Sequence, residues 1–99
     1  MSTSEATFVN FIEVDPSKQT DLIELLKEGT EKVMSKRPGF ISVTLLASKD
    51  GSHVINIAKW KSAADVKATQ SDPVAAEYAK RTATFAKATP ALYEIVGQY

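Results

Sequence analysis

The sequence predicts an α+β fold of element order β-α-β-β-α-β. Three observations carry that expectation. Stretches rich in β-branched and aromatic residues recur along the chain, as at Thr7–Val14 and His53–Trp60. Two Asp-Pro pairs, Asp15-Pro16 and Asp72-Pro73, each combine a helix cap with a proline suited to the first helical position. Asp50-Gly51 then joins the two middle stretches with a hairpin signal.

Taken in order, Thr7–Val14 is the first predicted strand. The helix opened at Asp15-Pro16 carries Leu22, Ile23, Leu26, Val33 and Met34 at helical spacing, with Glu24, Lys27, Glu28, Glu31 and Lys32 turned to water. It is predicted to end near Lys36, because Arg37 precedes Pro38 and Gly39 follows. Gly29 inside it costs about 1 kcal/mol relative to Ala, which points to close packing at that position. Phe40–Ser48 and His53–Trp60 form an antiparallel pair around the Asp50-Gly51 turn. Ser62-Ala-Ala-Asp65 resembles a capping box and opens a short helix to about Gln70. Asp72-Pro73 opens a further helix, with Val74, Tyr78, Arg81 and Phe85 on one side, ending before Pro90. Leu92–Tyr99 is the last predicted strand. The second helical region is thus split in two, and the whole is a ferredoxin-like split βαβ arrangement, a four-stranded antiparallel sheet with helices on one face.

The 99 residues suit one domain, 1–99. Twelve Lys+Arg against twelve Asp+Glu argue against general nucleic-acid binding, which needs a basic surface. With no Cys there is no thiolate chemistry, and one His cannot make a multi-His metal site, so no metal is expected. The polar start lacks the basic and apolar regions of a signal peptide, and the longest apolar run, Phe40 to Ser48, is far too short to span a bilayer. A soluble cytoplasmic protein without membrane partners is the resulting expectation.

Strand residues alternate between faces. In the first strand Val9 and Phe11 oppose Phe8, Asn10 and Ile12, and in the third Ile55 and Ile57 oppose Asn56, Ala58 and Trp60. In the second, Ile41, Val43, Leu45 and Ala47 oppose Ser42, Thr44 and Leu46. Neither side of the sheet reads as solvated, yet helices cover only one. The bulkier face, with Ile41, Val43, Leu45, Ile55 and Ile57, is therefore expected to pack against a second copy as an isologous homodimer. The less bulky face, with Ser42, Thr44 and Ala58, is expected under the helices, where small residues leave room for a cavity. Asn10 and Asn56 fall on that face. Asn has poor β-propensity and an amide costly to bury unpaired, so each of the two is expected to bond to backbone, water or a ligand.

Pro38-Gly-Phe40 before the second strand, Asp50-Gly51 at the hairpin, Asn56-x-x-x-Trp60 in the third strand and Ser71-Asp-Pro73 before the last helix resemble the antibiotic biosynthesis monooxygenase family. Together with length and element order, the likeness covers nearly the whole chain, and is greatest to the members that form quinones without a cofactor. It implies a dimeric α+β barrel with one pocket per subunit between sheet and helices. It also implies oxidation of a phenolic, anthrone-like aromatic substrate by O₂ with no flavin, haem or metal. Asn56 and Trp60 would be the catalytic pair, as neutral hydrogen-bond donors to substrate or peroxide oxygens. Asn10, Thr44, Leu46, Val66 and Tyr78 would bind substrate. In this subgroup a pocket His falls on Leu46, a pocket Tyr on Val66 and a pocket Arg near Ala79, so three polar positions have become apolar. The haem-degrading branch of the superfamily matches Asn10, but its axial His falls on Tyr78. A non-catalytic small-molecule or haem-binding domain is the alternative. His53, on the face opposite Asn56, and Arg81, expected in a surface or interface ion pair, carry no assigned chemistry.

Overall fold

The computed structural model describes residues 5–99; residues 1–4, part of the polar start, lie outside the described region. Strands β1 (Ala6–Val14), β2 (Phe40–Ala47), β3 (His53–Trp60) and β4 (Ala86–Tyr93) form one antiparallel sheet in the order β2-β3-β1-β4. Helices α1 (Gln19–Lys32), α2 (Ala63–Gln70) and α3 (Pro73–Ala83) complete the α+β fold. Among the described residues no helix is long and apolar enough to cross a membrane.

The predicted caps are present. Asp15 accepts from the Ser17 amide at 2.9 Å and opens a 3₁₀ turn, Pro16–Lys18, that leads into α1. Ser62 Oγ accepts from the Asp65 amide and donates to its carboxylate, at 3.2 and 3.0 Å. Asp72 Oδ2 accepts from the amides of Val74 and Ala75. The first helix is shorter than its periodicity suggests: it ends at Lys32, and Val33 leaves helical geometry before a second 3₁₀ turn, Met34–Lys36.

Two expectations are corrected. The last strand is Ala86–Tyr93 rather than Leu92–Tyr99, and α3 stops at Ala83 rather than near Pro90. Ala86–Thr89 has fair helix propensity, and Pro90 reads as a stop. However, β4 is an edge strand with β1 as its only neighbour, so a residue without an N–H is tolerated there. The second correction concerns β2. Val43 pairs with Ala58, Leu45 with Asn56 and Ala47 with Val54. Directly paired residues share a face, so Val43 and Leu45 lie under the helices while Ser42, Thr44 and Leu46 face outward. Ile41 is the extra residue in a register shift between Phe40 and Ser42. Bulk was the wrong guide to the orientation of this strand, because register with β3 decides it.

The outer face therefore carries Val9 and Phe11 of β1, Leu46 of β2, and Ile55 and Ile57 of β3, with Phe11 36% and Leu46 46% exposed in the single chain. The inner face holds two core groups. Ala6, Ala58, Trp60 and Val66 pack at one end with Phe8, Met34, Phe40 and Val43. Ile12, Val14, Leu22 and Val54 pack at the other with Ile23, Leu26 and Phe85. Asn10 falls between Phe8 and Ile12, and Asn56 between Val54 and Ala58. Both amides thus occupy the gap between the two cores.

Candidate active site

That gap is a cavity of about 380 Å³. Its floor is the inner face of β1, β3 and β4, with Phe8, Asn10, Ile12, Asn56, Ala58, Trp60, Ala88 and Pro90. Helix α1 contributes Leu25, Leu26, Gly29 and Thr30, and α2 and α3 contribute Val66, Thr69, Ala75, Tyr78, Ala79 and Thr82. The solvent-exposed lining residues Gln70, Ala76, Ala79, Ala88 and Pro90 mark its mouth, on the side of α3 and β4.

Asn10 and Asn56 are direct register partners on adjacent strands, so their amides lie side by side on the floor. The Oδ1 atoms of both are buried and have no hydrogen-bond partner within the chain. A buried polar atom left in that state costs about 1–3 kcal/mol. Two together, in a cavity large enough for an organic molecule, fit groups awaiting a ligand's donors. Rotation of either amide would present an N–H instead. Trp60 lines the same cavity from the first core group, 3% exposed, its ring edge-on to Phe40 at 5.5 Å between centroids.

The threonine hydroxyls of the lining are committed elsewhere. Thr30 Oγ1 donates to the Leu26 carbonyl at 2.8 Å and Thr82 Oγ1 to the Tyr78 carbonyl at 3.0 Å. Thr69 Oγ1 accepts from Arg37 Nε at 3.4 Å, and Arg37 also pairs with Asp72. Tyr78 is the one titratable residue of the lining. Its hydroxyl donates to Glu28 Oε2 at 2.6 Å, which pushes the phenol up and holds the Glu28 carboxyl below its usual range. Arg81 Nη1 lies 3.6 Å from the same carboxylate. Tyr78 therefore stays protonated. Among the described residues, no group of three or more His, Cys, Asp or Glu is placed to hold a metal ion.

Residues 6–81 match the sequence profile of the antibiotic biosynthesis monooxygenase family. The chain belongs to that family. It is similar to tetracenomycin-F1 monooxygenase of Streptomyces glaucescens, 43% identical over 67 residues, which is 68% of this chain and 60% of that relative. The chain thus spans about three-fifths of the curated relative's length. Among solved structures it resembles SnoaB, a cofactor-independent oxygenase from Streptomyces nogalater, with a TM-score of 0.80 at 22% identity over 97% of each chain. A conserved protein from Methanosarcina mazei gives a TM-score of 0.82 at 15% identity over 93% of each chain. At such identities the structural likenesses establish the fold.

Of the site residues expected in this family member, the fold brings Asn10, Asn56, Trp60, Val66 and Tyr78 into one cavity. Thr44 and Leu46 are corrected: they lie on the outer face, paired with Ile57 and Ile55, and do not line it. Val43 lines the cavity from β2 in their place. His53 is also on the outer face, stacked on Phe11 at 4.6 Å between centroids. Arg81 makes the expected ion pair, with Glu28. Sequence reasoning missed Thr69 and Thr82, both buried polar residues, and the Glu28–Tyr78 bond, which joins residues fifty apart. Helical spacing shows that Tyr78 and Arg81 share a face but not what they meet.

Proposed function

We propose that this chain is a cofactor-independent monooxygenase that oxidises a phenolic, anthrone-like compound to a quinone with O₂. The carrying observation is the pair of unpartnered amide oxygens on the floor of a largely apolar cavity that Trp60 also lines. Its volume falls within the range of about 300–1,000 Å³ common for small-molecule sites. Membership in a monooxygenase family and the names of the relatives support the reading.

The lining favours a substrate that brings its own acidity and its own electrons. Asn10, Asn56, Gln70, Thr and Trp60 are not bases near neutral pH, and Tyr78 is held in its protonated form. An anthrone ionises to an electron-rich anion, its proton passing to water. The anion transfers one electron to O₂, and the radical pair joins to a peroxide at the ring carbon. Loss of water leaves the carbonyl, so a CH₂ and O₂ become C=O and H₂O. The protein's part is to bind the rings against apolar walls, to favour the anion with neutral donors from Asn56 and Trp60, and to orient the peroxide.

The reading includes a homodimer, sheet against sheet. Val9, Phe11, Leu46, Ile55 and Ile57 would be buried in it, a row too apolar for a solvated face.

Oxygen uptake with 1,8-dihydroxyanthrone and metal-stripped protein tests the activity. Turnover well above buffer is expected, falling about 10²–10³-fold in Asn56→Ala, as for loss of one positioned donor. A rate no better than buffer, unchanged by that substitution, rejects the monooxygenase reading. The alternative of a binding domain draws on the apolar Val66 and Ala79 in the lining. Saturable ligand binding without turnover would favour it.

A further inference from the structure

The geometry points to Glu28 as a positioning residue that tethers Tyr78, so that the tyrosine ring forms a fixed wall of the cavity and sets the width of ring system admitted. The inference rests on the reading of the cavity as an aromatic ligand site. Four observations converge on it.

Tyr78 lines the cavity but Glu28 does not, so the hydroxyl is held on a group outside the cavity. At 2.6 Å to a carboxylate, this is a charge-assisted bond of the strong class. The ring rests on Gly29, where a Cβ would stand 3.3 Å from Cδ1 and 3.4 Å from Cγ. Any residue but glycine there would push the ring from its seat by a few tenths of an ångström. This gives a physical reason for a glycine in mid-helix. Finally Arg81, three residues along α3 from Tyr78, brings its guanidinium to the Glu28 carboxylate at 3.6 Å and over the Tyr78 ring at 5.1 Å. The carboxylate is thereby kept charged and aimed.

These contacts join α1 to α3 across the roof of the cavity. A tyrosine with a free hydroxyl can change rotamer and vary the space below it. A tyrosine tied at the hydroxyl and seated on Gly29 cannot. The other lining residues from the three helices are Ala, Gly, Thr, Val, Leu and Gln70, so this is the one aromatic ring they bring to the cavity. Restraining it makes the cavity one size rather than several.

The test is anaerobic titration with 1-naphthol and with 1,8-dihydroxyanthrone, so that binding is read without turnover. Trp60, the chain's only tryptophan, lines the cavity and reports by fluorescence. The measured quantity is the ratio of the two dissociation constants. Tyr78→Phe and Glu28→Ala are expected to shift it about tenfold, the scale on which apolar pockets discriminate size. Glu28→Gln, which keeps an acceptor for the hydroxyl, should return it to within about twofold of wild type. Gly29→Ala, which favours the helix and so guards against loss of folding, should shift the ratio as well. If both ligands bind wild type and the ratio moves in none of the variants, the tether is overturned while the cavity reading stands. If wild type binds neither ligand, the cavity reading falls and this inference with it.

Discussion

The two faces of the sheet are built from the same strands but solve opposite problems. On the outer face Val9, Phe11, Leu46, Ile55 and Ile57 run as a continuous apolar field without a helix over it. On the inner face the apolar residues are divided into two groups, and the space between them holds Asn10, Asn56 and small residues such as Ala58 and Ala88. A 99-residue domain has little surplus area with which to wall off a pocket. Here the helices do not close down on the middle of the sheet, because amides and small side chains stand where bulk would otherwise fill. The outer face supplies compensating apolar area, usable only against another surface.

The largest expected contrast comes from one substitution on each face. Leu22→Ala, at a fully buried position in the second core group, should cost about 2–5 kcal/mol in denaturant unfolding. Ile57→Arg on the outer face should cost the isolated chain less than about 1 kcal/mol, because its side chain has no core to leave. Light scattering should nevertheless show Ile57→Arg as a monomer, against the dimer proposed for the wild type. A wild type that is itself monomeric at micromolar concentration would break the comparison on the outer side.

A smaller effect is expected at the cavity floor. Asn10→Leu replaces an amide whose buried Oδ1 lacks a partner by an apolar group of similar shape. It should stabilise the fold by about 1–3 kcal/mol in denaturant unfolding while lowering oxygen uptake. Destabilisation of that size would show instead that Asn10 holds the sheet together, and would remove it from the site.

Much of this contrast was legible in the sequence, and the failures are instructive. Asn10 and Asn56 stood out because amides are poor in strand interiors, and alternation placed both on one face. Gly29 announced a close approach that proved to be Tyr78. From Ser42 onward the alternation in β2 also holds, as two sets of residues, while Ile41 falls out of its set as the extra residue. Which set faced the helices was not legible, since that depends on pairing with β3 and on the extra residue at Ile41. Thr44 and Leu46 were lost from the site by that one ambiguity. The tether of Tyr78 was invisible because its partner lies fifty residues away, on a helix whose packing partner is chosen by the tertiary fold.

The pairing that decides the faces is held at the β2–β3 turn, where the smallest effect is expected. Asp50 Oδ1 accepts from the Ser52 amide at 2.9 Å and its hydroxyl at 2.7 Å, and Gln19 Nε2 reaches across from α1 to the carbonyls of Ser48 and His53, both at 3.0 Å. The Ser52 backbone bond, followed by its hydroxyl, lowers the Asp50 carboxyl from 3.8 to about 2. A carboxyl depressed by folding adds stability that is present above its unfolded value and is lost as pH falls through its folded one. The contribution of this turn is therefore constant at neutral pH and fades between about pH 4 and pH 2. By NMR, the Ser52 amide should titrate with a midpoint near 2, and Asp50→Asn should abolish that titration without reversing the faces of β2, because Gln19 still holds both strand ends. A midpoint near 3.8 would mean that Asp50 does not hold the turn, and that the register rests on Gln19 and the strand ladder alone.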